Sequence, residues 1–212
     1  MRNNKKRLQL RKVYSFVVDG KCELWYLQML KQQEALNINI EPKLPQNKKL
    51  KKQYDLVKKL SKESDKVFWI IDFDTIEKER QETKKGAITP LEKFKGLYNK
   101  AINIKDKNIV IIVNNPCLEY WFLLHFEQTS KYFRNYEELI KSLKKYLKDY
   151  EKTEKYYKNP RENIYQKLKP NLQNAIINAE KLGEFYFDNY PKGITEMYKI
   201  FNSLELTLVE NR

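Results

Sequence analysis

The sequence predicts an α/β fold: a mostly parallel sheet flanked by helices, followed by a helical C-terminal half. Three observations carry this. Three short apolar runs, Val13–Val18, Val67–Ile71 and Ile109–Val113, are rich in β-branched and aromatic residues and do not alternate with polar ones, the pattern of strands buried on both faces. Helical patterns lie between the runs, and strand–helix alternation builds parallel sheets. After residue 115 no further strand pattern follows.

In chain order, Val13–Val18 is the first strand. Glu23 to Leu36 carries Leu24, Leu27, Met29 and Leu30 at helical spacing, and Asn37 to Glu41, with two isoleucines, is a weaker strand candidate. Asn47 to Leu60 repeats Leu50, Tyr54, Val57 and Leu60 on one helical face. Val67–Ile71 is the next strand. The charged, aperiodic stretch Thr75 to Gly86 reads as a mobile loop. Thr89-Pro90 opens a helix to Ile104, with a capping threonine before a first-turn proline. Ile109–Val113 is the last strong strand. Pro116 to Glu127, Tyr136 to Lys158, Glu162 to Leu182 and Ile194 to Leu206 then read as helices. The reading is one compact unit, with residues 1–127 as the α/β core and 128–212 as a helical region packed on it.

Composition narrows the function. The 212 residues carry 42 Lys+Arg against 28 Asp+Glu, a net charge of +14, which points to a polyanionic partner. Two cysteines, Cys22 and Cys117, and one histidine, His125, exclude a disulfide scaffold and a Cys/His zinc cluster. A Ser-His-Asp hydrolase would have to use His125. No apolar run nears the ~18–20 residues that span a membrane, and the apolar stretch behind the basic N-terminus is too short for a signal sequence. The expectation is a cytoplasmic protein with reduced thiols and no membrane partner.

Ligands of parallel α/β sheets bind outside the carboxyl ends of the strands. Asp19-Gly20-Lys21-Cys22-Glu23 follows the first strand, Asp72-Phe73-Asp74 the third and Asn114-Asn115-Pro116-Cys117-Leu118-Glu119 the fourth. Acids from distant segments thus converge on one edge, and Asp72-x-Asp74 has the oxygen ligands that a hard cation such as Mg²⁺ takes. Such an ion would neutralise charge in phosphoryl transfer. The same acids also cap helices and turn chains. Asp72-Phe73-Asp74-Thr75 also resembles the Asp-x-Asp-x-Thr motif of haloacid-dehalogenase-type phosphatases, in which the first aspartate is the nucleophile. That motif normally follows the first strand, and no downstream Lys or Asp-Asp element accompanies it here. The stretch Asn115–Phe126 is apolar nearly all round and so should be buried, with Asn115 as its N-cap and Pro116 in its first turn. Glu119 inside it needs a partner or a metal. His125, beside Trp121 and Phe122, reads first as a core residue.

Lys141, Lys144, Lys145, Lys148, Lys152 and Lys155 recur at 3, 1, 3, 4 and 3 spacing, one stripe on a continuous helix, opposite Leu139, Leu143, Tyr146, Leu147 and Tyr150. A lysine ridge of this kind suits a nucleic-acid backbone better than base readout; a plain solvated face is the competing reading.

Taken together the motifs resemble those of RloB-like proteins, which include abortive-infection components of the AbiL type. Asp19-Gly20-Lys21-Cys22-Glu23 is similar to their opening Glu-Gly-x-x-Thr-Glu. Asp72-x-Asp74 matches their Toprim-like Asp-x-Asp. Asn115-Pro116-Cys117-Leu118-Glu119-Tyr120-Trp121-Phe122-Leu123-Leu124-His125-Phe126 resembles their most distinctive stretch, and Asn189-Tyr190-Pro191 through Thr195, Met197 and Tyr198 resembles their closing segment. The resemblance implies a Toprim-like fold and a Mg²⁺- or Mn²⁺-dependent nuclease of an anti-phage defence system. Its substrate would be DNA or RNA, transfer RNA included. An ATPase encoded nearby would be its partner, and self-assembly is left open. Asp72 and Asp74 would hold the metal with Asp19 and Glu23. These four and Glu119 would form the catalytic set, supported by Asn115 and His125. Two departures stand out: Asp19 replaces the first glutamate of the motif and Cys22 its threonine. A non-catalytic nucleic-acid-binding or regulatory subunit is the alternative reading, and a phosphatase the weaker one.

Overall fold

A computed structural model describes residues 12–43, 49–81, 87–104, 108–133, 136–188 and 191–204. At its centre is a five-stranded sheet in the order β2-β1-β3-β4-β5. Strands β1 (Tyr14–Val17), β2 (Ile38–Glu41), β3 (Lys66–Asp72) and β4 (Ile109–Asn115) run parallel. The short β5 (Ile194–Thr195) pairs antiparallel with β4. All three strong runs and the weaker Asn37–Glu41 candidate are strands.

Alternate residues face opposite sides, so the sheet divides the core in two. Phe16, Phe68, Ile70 and Ile112 point to one face, against α1 (Lys21–Gln33), α5 (Leu118–Leu124), α6 (Tyr136–Leu143), α7 (Glu154–Tyr157), α8 (Ile164–Leu168), α9 (Leu172–Leu182) and α10 (Tyr198–Leu204). Val17, Val67, Trp69, Ile71, Ile111 and Val113 point to the other, against α2 (Leu50–Leu60), α3 (Phe73–Gln81) and α4 (Pro90–Ile102). Helix α4 starts as expected, with Thr89 and Glu92 forming a reciprocal capping box. Among the described residues no helix is long and apolar enough to cross a membrane.

Several elements depart from the sequence reading. The expected mobile loop from Thr75 is mostly helix α3; residues 82–86 lie outside the described set. Phe73 and Ile76 are buried and anchor it, and the Asp74–Lys78 and Glu77–Arg80 pairs, each at 2.9 Å, follow its turns. A charged sequence hid a helix fastened by two apolar residues.

The continuous helix expected over Tyr136 to Lys158 is broken. It ends at Leu143, passes through tight turns (Lys145 N to Ser142 O, 3.2 Å; Tyr146 N to Leu143 O, 3.0 Å), and resumes at α7, where Thr153 caps the Tyr156 N–H. The break lets Leu147, Tyr150, Tyr156 and Tyr157 all be buried, which one straight helix could not do. The expected 162–182 helix is likewise divided by a 3₁₀ turn at Lys169–Asn171 holding Pro170, which has no N–H to continue the ladder.

At the C-terminal end, Ile194–Thr195 is strand rather than helix. Helix α10 begins only at Tyr198, and residues 205–206 lie outside the described set. At the fourth strand Asn115 is not the cap: it remains in β4, the Asn115–Pro116 peptide is cis, and Cys117 occupies the N-cap of α5. All seven residues of α5 are buried, as its apolar circumference requires.

Candidate functional site

Parallel strands put their carboxyl ends on one edge, and the acidic segments meet there. A cleft of about 310 Å³ is lined by Asp19, Gly20 and Glu23 after β1, by Gln53 of α2, by Asp72 and Asp74 at the β3–α3 junction, and by Lys78 and Lys152. Glu119 of α5, fully buried, reaches the same place from below: a carboxylate oxygen of Asp72, one of Glu119 and the Cys117 sulfur lie within 4.8 Å of one another. All five acids singled out as catalytic are thus brought together.

Each acid is held by identifiable neighbours. The Gln53 amide donates to Asp19 Oδ1 at 2.7 Å and accepts from the Trp69 indole N–H at 2.9 Å, which fixes its orientation. Asn114 donates to Asp72 Oδ1 at 3.2 Å and accepts from the Thr195 hydroxyl at 2.6 Å. The Asp74 N–H donates to the Pro116 carbonyl at 2.9 Å, tying α3 to the β4–α5 connection, and Lys78 pairs with its carboxylate at 2.9 Å. Glu23 folds back over Gly20; a Cβ there would meet Glu23 Oε2 at 2.5 Å, so glycine is what lets the carboxylate approach the turn. Glu119 Oε1 accepts from Tyr150 at 2.8 Å and pairs with Lys152 at 3.1 Å. The Tyr157 and Tyr150 hydroxyls are 2.7 Å apart behind it. Glu119 Oε2, also buried, has no hydrogen-bond partner among the described residues.

The electrostatics follow from crowding. Burial raises Asp19 to about 6, with Glu23, Glu79 and Asp74 adding to the rise. Burial raises Glu23 above the usual carboxylate range, and its carboxyl is hydrogen-bonded to that of Asp72. Burial, then the Glu23, Asp74 and Glu119 charges, hold Asp72 well above the usual carboxylate range. Burial also raises the thiols of Cys22 and Cys117. Partial burial works against the Lys152 ammonium, but Glu119 and the acidic groups beside it outweigh that and hold the lysine charged. Its ammonium also lies 4.7 Å from the Tyr136 ring centroid. Like charges this close, in a site that desolvates them, are what a cation relieves.

The other residues singled out from sequence lie elsewhere. Asn115 turns to the opposite side of β4 from Asn114 and donates to the Lys192 carbonyl at 3.0 Å. His125 is buried under the Trp121 ring, its Nδ1 2.9 Å from the Trp121 carbonyl, and burial pushes it down to about 4. It is a neutral core residue and does not line the cleft. The lysine stripe is not a stripe: with the helix broken, Lys141 sits on α6, Lys144, Lys145 and Lys148 on the turns, and Lys155 on α7, all exposed. Lys152 leaves them for the cleft.

The sequence reading missed Gln53, Asn114, Tyr150 and Tyr157. Two had a signal. Gln53 is a polar residue on the apolar face of α2, three residues from Leu50, and Asn114 lies in register with Asp72 on β4.

No curated protein and no solved structure matches the chain. A family model described as RloB-like protein matches residues 14–204, nearly the whole length, and the chain therefore belongs to the RloB-like protein family.

Proposed function

We propose that the protein is a Mg²⁺-dependent, Toprim-like nuclease of a bacterial anti-phage, abortive-infection system, acting in the cytoplasm on DNA or RNA phosphodiesters and working beside an ATPase. The observation that carries this reading is the meeting of Asp19, Glu23, Asp72 and Asp74 at one cleft on the carboxyl edge of the sheet, with Glu119 buried beside Asp72. The residues fit a divalent ion: burial and neighbouring carboxylates raise both Glu23 and Asp72, and Glu119 presents a buried oxygen with no hydrogen-bond partner among the described residues. Asp72 and Asp74 would hold the ion with Asp19 or Glu23, Mn²⁺ serving as well as Mg²⁺. Once bound, it would neutralise charge on the phosphoryl group and acidify a water.

The chain supplies the rest. Asn114 and Gln53 orient Asp72 and Asp19. Glu23 or Asp19 accepts a proton. Lys78 and Lys152, both lining the cleft, offer charge to phosphate oxygens.

The test is cleavage of mixed single- and double-stranded DNA and RNA, transfer RNA included, with Mg²⁺ or Mn²⁺ and with EDTA. Wild type should cut only with metal. Asp72→Ala and Asp74→Ala should lose on the order of a thousandfold, the several kcal/mol that a metal contributes. Equal cleavage by wild type and Asp72→Ala removes the metal-site reading. A second reading, a non-catalytic nucleic-acid-binding or regulatory subunit, is favoured by one observation: Lys78 and Gln53 already hold Asp74 and Asp19. Salt-sensitive binding without cleavage, even with the ATPase present, selects it.

A further inference from the structure

The two oxygens of Glu119 are treated unequally. Oε1 receives the Tyr150 hydroxyl and the Lys152 ammonium, while Oε2, equally buried, has no well-formed hydrogen bond among the described residues, the Cys117 thiol being the polar group set beside Glu119. A buried carboxylate oxygen left so is costly, and native cores rarely keep one without a use. What surrounds it is specific. Cys117 places a buried thiol beside Glu119, and one oxygen of Asp72 completes a triangle whose atoms all lie within 4.8 Å. Tetrahedral zinc with sulfur and oxygen ligands sets neighbouring ligand atoms about 3.3–3.5 Å apart, so a contraction of about 1 Å closes the triangle on an ion.

We propose that Asp72, Cys117 and Glu119 form a second metal site, selective for a thiophilic divalent ion of the Zn²⁺ class. It would lie on the inner side of Asp72, away from the hard-ion position at Asp74. Counting cysteines and histidines excludes a Cys/His cluster, but not one thiolate joined by two carboxylates. A sulfur ligand selects against Mg²⁺, which takes oxygen, and favours Zn²⁺ or Co²⁺. Binding forms the metal–sulfur bond and releases the Cys117 thiol proton to solvent. Lys152, paired with Glu119 from the cleft side, acts as the resident counter-cation, and removing it leaves more of the Glu119 charge for the ion. The site stands on its own geometry, whether or not the cleft cuts nucleic acid.

The experiment is titration of the metal-free full-length protein with Co²⁺, reading the sulfur-to-cobalt charge-transfer absorbance, and then displacement of Co²⁺ by Zn²⁺. Wild type should show the band, lose it to stoichiometric Zn²⁺ and keep it in excess Mg²⁺. Cys117→Ser should abolish it; Cys22→Ser, which alters the thiol that lines the cleft, should retain it. Glu119→Gln keeps the side-chain shape and should weaken Zn²⁺ by at least about tenfold, whereas Lys152→Met should tighten it. Far-UV circular dichroism and thermal melting check that each variant is folded. A wild type without the band, a band that survives Cys117→Ser or follows Cys22, or displacement by Mg²⁺ overturns the proposal.

Discussion

Asp19 shows how a single carboxyl reports the strain of the cleft. Its pKa in the folded protein is about 6 against an ordinary 3.8, raised first by burial and then by Glu23. The folded state therefore binds the proton more tightly than the unfolded chain does. The group costs nothing below about pH 4, and its cost grows as pH rises through 6. A shift of about two units is worth about 3 kcal/mol in full, and less because Asp19 keeps some solvent contact. Asp19→Asn retains an acceptor for the Gln53 amide and removes the charge. In EDTA it should raise the denaturant-unfolding free energy by about 1–3 kcal/mol at pH 8 and change it little at pH 4. An equal effect at both values, or none at pH 8, would show that desolvation of Asp19 is not the cause. The acids were legible because chemistry and topology coincide: Asp72 ends a strand, Asp19, Glu23 and Asp74 follow strands, and a parallel sheet must gather those ends. Asn114 and Asn115 were not separable, because which of two adjacent asparagines faces the acids is set by the alternation of β4, and the sequence marks both as polar strand ends. Lys152 was misplaced for a similar reason: its partner Glu119 lies 33 positions away, and only the turn after Leu143 brings them together.

Among the elements, β5 matters beyond its two residues. It pairs antiparallel with the end of β4, and the Thr195 hydroxyl holds the Asn114 carbonyl oxygen at 2.6 Å, leaving the Asn114 amide to face Asp72. That relay fixes which way the amide points, and so presents a donor rather than a second acceptor to the Asp72 carboxyl, the orientation that the proposed cation site needs. Thr195→Val keeps the shape and deletes the hydroxyl. The expected result is a loss of about 1 kcal/mol of stability and a rise of about tenfold in the Mg²⁺ concentration for half-maximal cleavage, the usual cost of removing a supporting hydrogen bond. Nucleic-acid affinity in EDTA should be unchanged. A loss of stability with no change in Mg²⁺ dependence would reduce Thr195 to a structural residue. A strand this short carries no periodic signal, since pattern recognition needs four or more residues. Helix interruptions were hidden for the opposite reason. Over residues 136–158 the helical period persists, while the chain turns in order to bury Tyr150 and Tyr157 behind Glu119, a tertiary gain that local propensity does not encode.

Over the whole molecule, the net charge of +14 and the acidic cleft pull in opposite directions. An acidic cleft alone would repel a phosphate backbone, so under the proposed function approach is driven by charge around it. The sheet divides that charge. Helix α2, with exposed Lys51, Lys52, Lys58 and Lys59, packs on one face, and the 141–155 segment, with exposed Lys141, Lys144, Lys145, Lys148 and Lys155, belongs to the other. Each reaches the cleft, through Gln53 on one side and Lys152 on the other. A backbone lying across the mouth would therefore meet lysines on one side or both, although the continuous helix expected to align Lys141 to Lys155 is broken. Each phosphate contact contributes a salt-slope increment of about 0.9 on duplex DNA and about 0.7 on single strands. Replacing Lys141, Lys144, Lys145, Lys148 and Lys155 together by Gln, with Lys152 kept because it belongs to the cleft, should weaken binding uniformly across sequences and flatten the slope of log affinity against log salt by about 2–4. The matching α2 set, Lys51, Lys52, Lys58 and Lys59 to Gln, measures the other side. Whichever set flattens the slope gives the face along which the strand runs, and two unchanged slopes would mean that both are solvated surfaces and that the approach is driven from elsewhere on the chain.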